Sequence, residues 1–194
     1  MPFHRNFTYY LAKKIPATCF VFLLFIAGCK KTGINEIDKL PSATQTGRNI
    51  FGCLVNGQAY IADNGCRLIC TPAFRSYYNN SNGGVFSVTT ELTFPIQSYD
   101  MYLGFDVSNC KTINTYPIGN TFNNLGVYFA NYKEENSNCT TFSKNDSNIV
   151  RNGYLNVTRI DLVNGIISGT FEFTLSKMGC QTIIITNGRF DSRL

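Results

Sequence analysis

Residues 155–175 read LNVTRIDLVNGIISGTFEFTL, and the second half of this stretch alternates without a break. Ile167, Gly169, Phe171, Phe173 and Leu175 fall on one side, and Ser168, Thr170, Glu172 and Thr174 on the other. A period of two with one apolar and one polar face marks a strand packed on one side and wet on the other. Asn164-Gly165 sits between Tyr154–Asp161 and Ile166–Leu175. Asn-Gly tolerates positive φ at both central turn positions, so the pair predicts a tight hairpin.

The same pattern extends along the chain. Phe86, Val88, Leu92 and Phe94 alternate with Ser87, Thr89, Glu91 and Thr93. Met101, Leu103, Phe105 and Val107 share a face, and Val127 and Phe129 alternate with Tyr128 and Ala130. A second Asn-Gly pair, Asn56-Gly57, predicts a hairpin between Ile50–Val55 and Gln58–Ala62, and Asn187-Gly188 predicts a late bend or bulge. No helical period occurs beyond the N-terminal region. The expected fold is all-β, an antiparallel meander of eight to ten strands forming a β-sandwich in preference to a β-barrel. The aromatic stripes Phe86/Phe94 and Phe171/Phe173 would line a ligand cavity in a barrel. At strand spacing they read as core.

Composition removes several functions. Hydrophobic residues make up 44% and charged residues 15%, which is a globular balance. The net charge is +5, with Arg5, Lys13 and Lys14 near the N-terminus, so no basic block remains to follow a phosphate backbone and nucleic-acid binding is not expected. The one histidine is His4. If the N-terminal region is removed, the mature chain has no histidine for Ser-His-Asp or Cys-His catalysis or for metal ligation.

That region reads as a leader. Positive residues precede ATCFVFLLFIAG (Ala17 to Gly28), and these 12 residues rise about 18 Å as a helix against roughly 30 Å of hydrocarbon. The run is too short to span and fits a secretory signal. Ile26-Ala27-Gly28-Cys29 resembles a bacterial lipobox. The resemblance implies cleavage before Cys29, lipidation of its thiol and, since several acyl chains hold stably, anchoring in a membrane. The same resemblance implies the outer membrane, since Lys30 and Lys31 stand in place of the aspartate that retains some lipoproteins in the inner membrane, and, since no acidic residues directly follow Cys29 as in some surface-exported lipoproteins, the periplasmic face in preference to the cell surface. Lys30 to Arg48 is polar and without period, and it reads as a flexible tether reaching roughly 24 Å. The expected organisation is a signal peptide over 1–28, lipidated cysteine and tether over 29–48, and one β domain over 49–194.

Cys53, Cys66, Cys70, Cys110, Cys139 and Cys180 remain after Cys29. An even count in an exported chain reads as three disulfides of open connectivity, with a local Cys66–Cys70 link as one expectation. Glu134-Glu135 would need Asp100 or Asp106 as a partner to serve a glycosidase, whose carboxyls face each other at about 5–9.5 Å, and it reads as a solvated loop. KNDSN (Lys144 to Asn148) offers oxygens for calcium without the EF-hand pattern, and it reads as a turn. In RSYYNNSNGG (Arg75 to Gly84), Tyr77 and Tyr78 sit beside amides on what reads as a loop. A flat apolar ring with a hydroxyl and neighbouring amides suits a sugar or a partner protein.

SATQTGRNIFGCLVNGQAY (Ser42 to Tyr60), LNVTRIDLVNGIISGTFEFTL and ITNGRFD (Ile185 to Asp191), together with the lipobox, resemble a family of Bacteroidetes lipoproteins built on a domain of unknown function. That likeness implies an exported, lipid-anchored β domain and supplies no catalytic residue. The functional expectation is a non-enzymatic envelope lipoprotein with no cofactor or metal, held by its lipid anchor and binding an envelope protein or glycan. The alternatives are a carboxylate-dependent glycan hydrolase and a barrel carrying a small apolar ligand.

Overall fold

The alternation around Phe171 builds β10 (Ile166–Lys177), which is flanked by β9 (Ile149–Asp161) and β11 (Ile183–Arg193) in antiparallel register. The computed structural model describes residues 35–62, 73–94, 97–118, 125–131 and 136–194. Eight further strands lie among the described residues: β1 (Ile50–Val55), β2 (Gln58–Ile61), β3 (Phe74–Asn79), β4 (Val85–Phe94), β5 (Gln97–Ser108), β6 (Asn114–Pro117), β7 (Leu125–Asn131) and β8 (Thr141–Phe142). They form two antiparallel sheets. The first runs β6-β9-β10-β11-β1-β2, and the second holds β3, β4, β5, β7 and β8, with β3 and β5 on either side of β4. A single pairing, Ile61 with Thr93, joins them, and the ladder ends at β6 and β8 without closing. The fold is a sandwich, and the barrel alternative falls with it.

The connectivity is less regular than a meander. After β5 the chain crosses to the first sheet as β6, pairs with β9, and returns as β7. β1 lies between β2 and β11, so the first and last strands are neighbours.

Between the sheets the apolar faces interdigitate. Phe51, Phe86, Phe105, Phe171, Phe173 and Phe190 are all buried, with Phe51–Phe171 and Phe86–Phe190 ring centroids 5.0 and 5.5 Å apart. The aromatic stripes are therefore core as far as they are described; the Phe94 side chain lies outside the described residues. Ser76 of β3 meets Ser192 of β11 across the gap, a polar tie between the sheets.

The turns follow their chemistry with one difference. Asn56 and Gly57 both take positive φ (49° and 83°), the two-residue hairpin expected of Asn-Gly. The β9–β10 connection instead uses four residues, 162–165, with Gly165 but not Asn164 at positive φ. Asp161 accepts from the Asn164 backbone N–H at 3.0 Å and from its side-chain amide at 2.8 Å, which stabilises the wider turn. Asn187-Gly188 is a bulge: Phe171 pairs with Gly188 but Phe173 with Ile185. A Cβ on Gly188 would lie 2.4 Å from the Phe171 ring, so the bulge and the aromatic core fit only with glycine there.

The segment read as a flexible tether differs most. Its first residues, 30–34, lie outside the described residues, but 35–48 is a strap held on the first sheet. Glu36 accepts from the Ala59 N–H, and Leu40 packs with Leu54 and Ala59 on the outer side of the sheet. Arg189 donates to the Pro41 carbonyl, and Arg159 to that of Gln45. Then Asp191, fully buried, accepts from the Thr44 hydroxyl (2.6 Å), the backbone N–H groups of Thr46, Gly47 and Arg48 (2.9, 2.8 and 3.1 Å) and the Ser168 hydroxyl (2.7 Å). A buried carboxylate must be satisfied from within, and the polar, glycine-containing strap supplies the donors. Burial pushes the Asp191 carboxyl upward, but the bonds from Thr44, Ser168, Arg48 and Thr46 outweigh it and hold the group below the ordinary carboxylate range. Residues 35–48 are therefore part of the folded unit.

Candidate binding face

The pleat decides what the two candidate tyrosines can do. Tyr77 and Tyr78 lie in β3, not in a loop, and adjacent strand residues face opposite ways. Tyr77 is 62% exposed. Tyr78 turns inward, packs against the core and donates its hydroxyl to the Cys110 carbonyl at 3.1 Å. The pair cannot form one platform.

Tyr77 instead joins residues from other strands. The register places Tyr77, Ser87, Asp106 and Gly126 in one row across β3, β4, β5 and β7. The next row is Arg75, Thr89, Gly104 and Tyr128. These are the residues that alternate with the buried Val88, Phe105 and Val127, so they form the outer face of the second sheet. Glu91 and Tyr102 continue that face one row further. Lys144, from the loop after β8, reaches over Gly126 and pairs with Asp106.

Two glycines shape this face. With no side chain at 104 or 126, a groove of about 230 Å³ opens among Thr89, Gly104, Asp106, Tyr128 and Lys144. A Cβ on Gly104 would meet the Val88 carbonyl at 2.9 Å, so the bare backbone there is required by the sheet as well. Three strand spacings separate Tyr77 from Tyr128, roughly 14 Å. The face thus offers aromatic rings at opposite corners, a guanidinium on the strand of Tyr77, and an ion pair and hydroxyls on the strands between. Tyr102, Tyr128 and Arg75 were not singled out from the sequence, although the alternation of Tyr128 with Val127 and Phe129 carries the signal.

A second opening lies between the sheets at the other end of the strands. It measures about 170 Å³ and is lined by Tyr60, Met101, Phe129, Phe142 and Ile183, with Asn56, Gln58 and Gln181 among its polar wall residues.

The remaining candidate residues take structural parts. Cys139 and Cys180 form a disulfide joining the approach to β8 in the second sheet with the β10–β11 turn in the first. Cys53 and Cys110 are free, buried thiols, which corrects the expectation of three bridges. Both belong to the main core between the sheets, and burial pushes the Cys53 thiol up to about 12, so little of it is thiolate at neutral pH. Burial likewise raises Cys110. The KNDSN segment is a turn around Arg151, whose guanidinium donates to the Ile149, Ser143 and Asp146 carbonyls. A cation already occupies the oxygens that calcium would need, and the Asp146 carboxylate accepts from the Asn148 N–H and pairs with Lys177. Among the described residues no three His, Cys, Asp or Glu side chains are placed to hold a metal. Cys29, Cys66, Cys70, Glu134, Glu135 and the Asp100 side chain lie outside the described residues.

Comparison with protein-family models, curated proteins and solved structures gives no match for this chain.

Proposed function

We propose that the chain is an envelope lipoprotein, lipidated at Cys29 and held in the outer membrane, whose sandwich is a non-enzymatic module that binds a glycan on the outer face of the second sheet. The observation that supports the ligand class is the pair of register rows. They set Tyr77 and Tyr128 at opposite corners, with Arg75 on the same strand as Tyr77, and with Thr89, Asp106, Tyr128 and Lys144 around a glycine-floored groove on the β4, β5 and β7 side. Ring faces stack on the apolar face of a sugar, and guanidinium, carboxylate and hydroxyl groups answer its hydroxyls. A shallow, open groove suits a chain that runs across the sheet better than a small molecule that must be enclosed. The Cys29 anchor is supported by the positive start, the short apolar run and the Ile26-Ala27-Gly28-Cys29 exit.

Affinity electrophoresis through gels containing envelope or nutrient polysaccharides tests the ligand class. Retardation is expected for the wild-type chain. Tyr77→Ala should weaken binding at least about five-fold, since an aromatic contact of this kind is worth ~1 kcal/mol. Tyr78→Phe, which leaves the outer face intact, should bind as wild type. No retardation in any polysaccharide, or equal retardation of Tyr77→Ala, would contradict the glycan reading.

A further inference from the structure

The strap gives the molecule a membrane-facing end. It runs from Asn35, beside Ala59 and the Asn56-Gly57 hairpin, to Arg48, beside Asp191, so it traverses the first sheet lengthwise along β1 and leaves at the hairpin end. Five residues, 30–34, separate Asn35 from Cys29. Whatever their conformation, six Cα–Cα steps span at most about 21 Å. A domain carried on a free stalk from Arg48 would have no preferred end. One whose strap is fastened as far back as Asn35 is held by that end.

The same end carries three exposed aliphatic side chains, two of them on either side of Ser176 and Thr174 of β10. Met178, on the β10–β11 turn, is 98% exposed. Val150 and Ile184 are 61% and 47% exposed, and both stand on the outer side of the first sheet, opposite Ser176 and Thr174 on β10. The three lie on neighbouring strands at the strand ends nearest the hairpin. At the opposite end, Leu162 and Val163 of the β9–β10 turn are 45% and 97% exposed, and Leu194, whose N–H donates to the Gly165 carbonyl, is 43% exposed, so the point where the strap leaves, and not aliphatic exposure, distinguishes the two ends.

We infer that the hairpin end of the first sheet, with Met178, Val150 and Ile184, rests on the bilayer surface that holds the Cys29 acyl chains. This rests on the lipoprotein reading above. The occupant is a lipid surface because the chain outside the folded unit ends, within about 21 Å of this patch's end of the sandwich, in the residue that would carry the lipid. Exposed aliphatic side chains on a turn lodge at the boundary of headgroup and acyl region, and Lys30 and Lys31 in the spacer are attracted to anionic headgroups. The glycan face belongs to the other sheet, so this seating directs it away from the membrane.

The chain contains no tryptophan, so one introduced residue is a unique fluorophore. The lipidated protein carrying either Met178→Trp or Val163→Trp is reconstituted into phosphatidylethanolamine–phosphatidylglycerol vesicles with and without brominated acyl chains. The expected result is a blue-shifted emission for Met178→Trp, quenched several-fold more by bromolipid than that of Val163→Trp. Vesicle-bound protein in which the two positions are quenched alike, or Val163→Trp more strongly, overturns the seating while leaving the anchor in place. Protein that does not co-float with vesicles, or that floats equally after Cys29→Ser, overturns the anchor and the seating together.

Discussion

At the scale of single residues, Asp191 sets the fold's N-terminal boundary. It carries five hydrogen bonds in a fully buried position, three of them from consecutive backbone N–H groups of the strap. Asp191→Ala strands those donors and is expected to destabilise the chain by about 3–5 kcal/mol, read as a shift in the denaturant midpoint. Asp191→Asn should cost less but still be clearly destabilising, because an amide accepts at one oxygen only. The pH dependence follows from the sign of the shifts. Asp191 is held below the usual carboxylate range, and Asp161 is lowered to about 2 by bonds from Asn164 and Arg159. A carboxylate lowered on folding stabilises the native state above its unfolded value of about 3.9, and that contribution is lost as pH falls through the folded value. Thermal stability should therefore stay level from neutral pH down to about 5 and fall only in stronger acid. A decline beginning near pH 6 would mean that other groups control it. This lock is not legible in the sequence. ITNGRFD shows an aspartate in a strand, but that its partners come from SATQTGR follows only from β1 pairing with β11.

Among the elements, most strands are legible in the sequence and three, β3, β6 and β8, are not. Strict alternation located β4, β5, β7 and β10, because a half-buried strand imposes period two directly on residue choice. β3 was hidden. Its inward residues, Phe74, Ser76 and Tyr78, include a serine that contacts Ser192 and a tyrosine whose hydroxyl reaches the Cys110 carbonyl, so the apolar signal is diluted. β6 and β8, four and two residues long, are too short to show a period. The disulfide is the staple between the sheets at the hairpin end. Chain-entropy arguments for its 41-residue separation give roughly 4 kcal/mol, so Cys139→Ser with Cys180→Ser should lower stability by ~2–4 kcal/mol. By contrast, the buried Cys53 and Cys110 should resist a thiol reagent in the native protein and react on unfolding. Where β9 crosses β10, Gly153 has φ 134° and a Cβ there would lie 2.0 Å from the Glu172 carbonyl. Gly153→Ala should open the β9–β10 ladder locally, seen as faster amide exchange in both strands.

For the whole molecule, the strap and the two sheets divide the surface of the described residues into distinct regions. The outer side of the first sheet is partly covered by the strap through Leu40, and its hairpin end carries the exposed aliphatics. The outer face of the second sheet carries the tyrosine corners and the glycine-floored groove. Sequence alone suggested Tyr77 and Tyr78 as a pair, and the pleat separates them. What remains of that reading is Tyr77, now combined with Arg75 two residues before it on β3 and with Tyr128, 51 positions away in the sequence and brought to the same face only through the β3-β4-β5-β7 ladder. The measurement that tests the binding face most directly is NMR of the chain labelled at tyrosine rings, titrated with the polysaccharide that retards it. The account predicts that the Tyr77 and Tyr128 signals move with glycan concentration while those of the inward Tyr78 and Tyr116 stay in place. Shifts confined to the inward tyrosines, or to Tyr60 at the inter-sheet cavity, would contradict it.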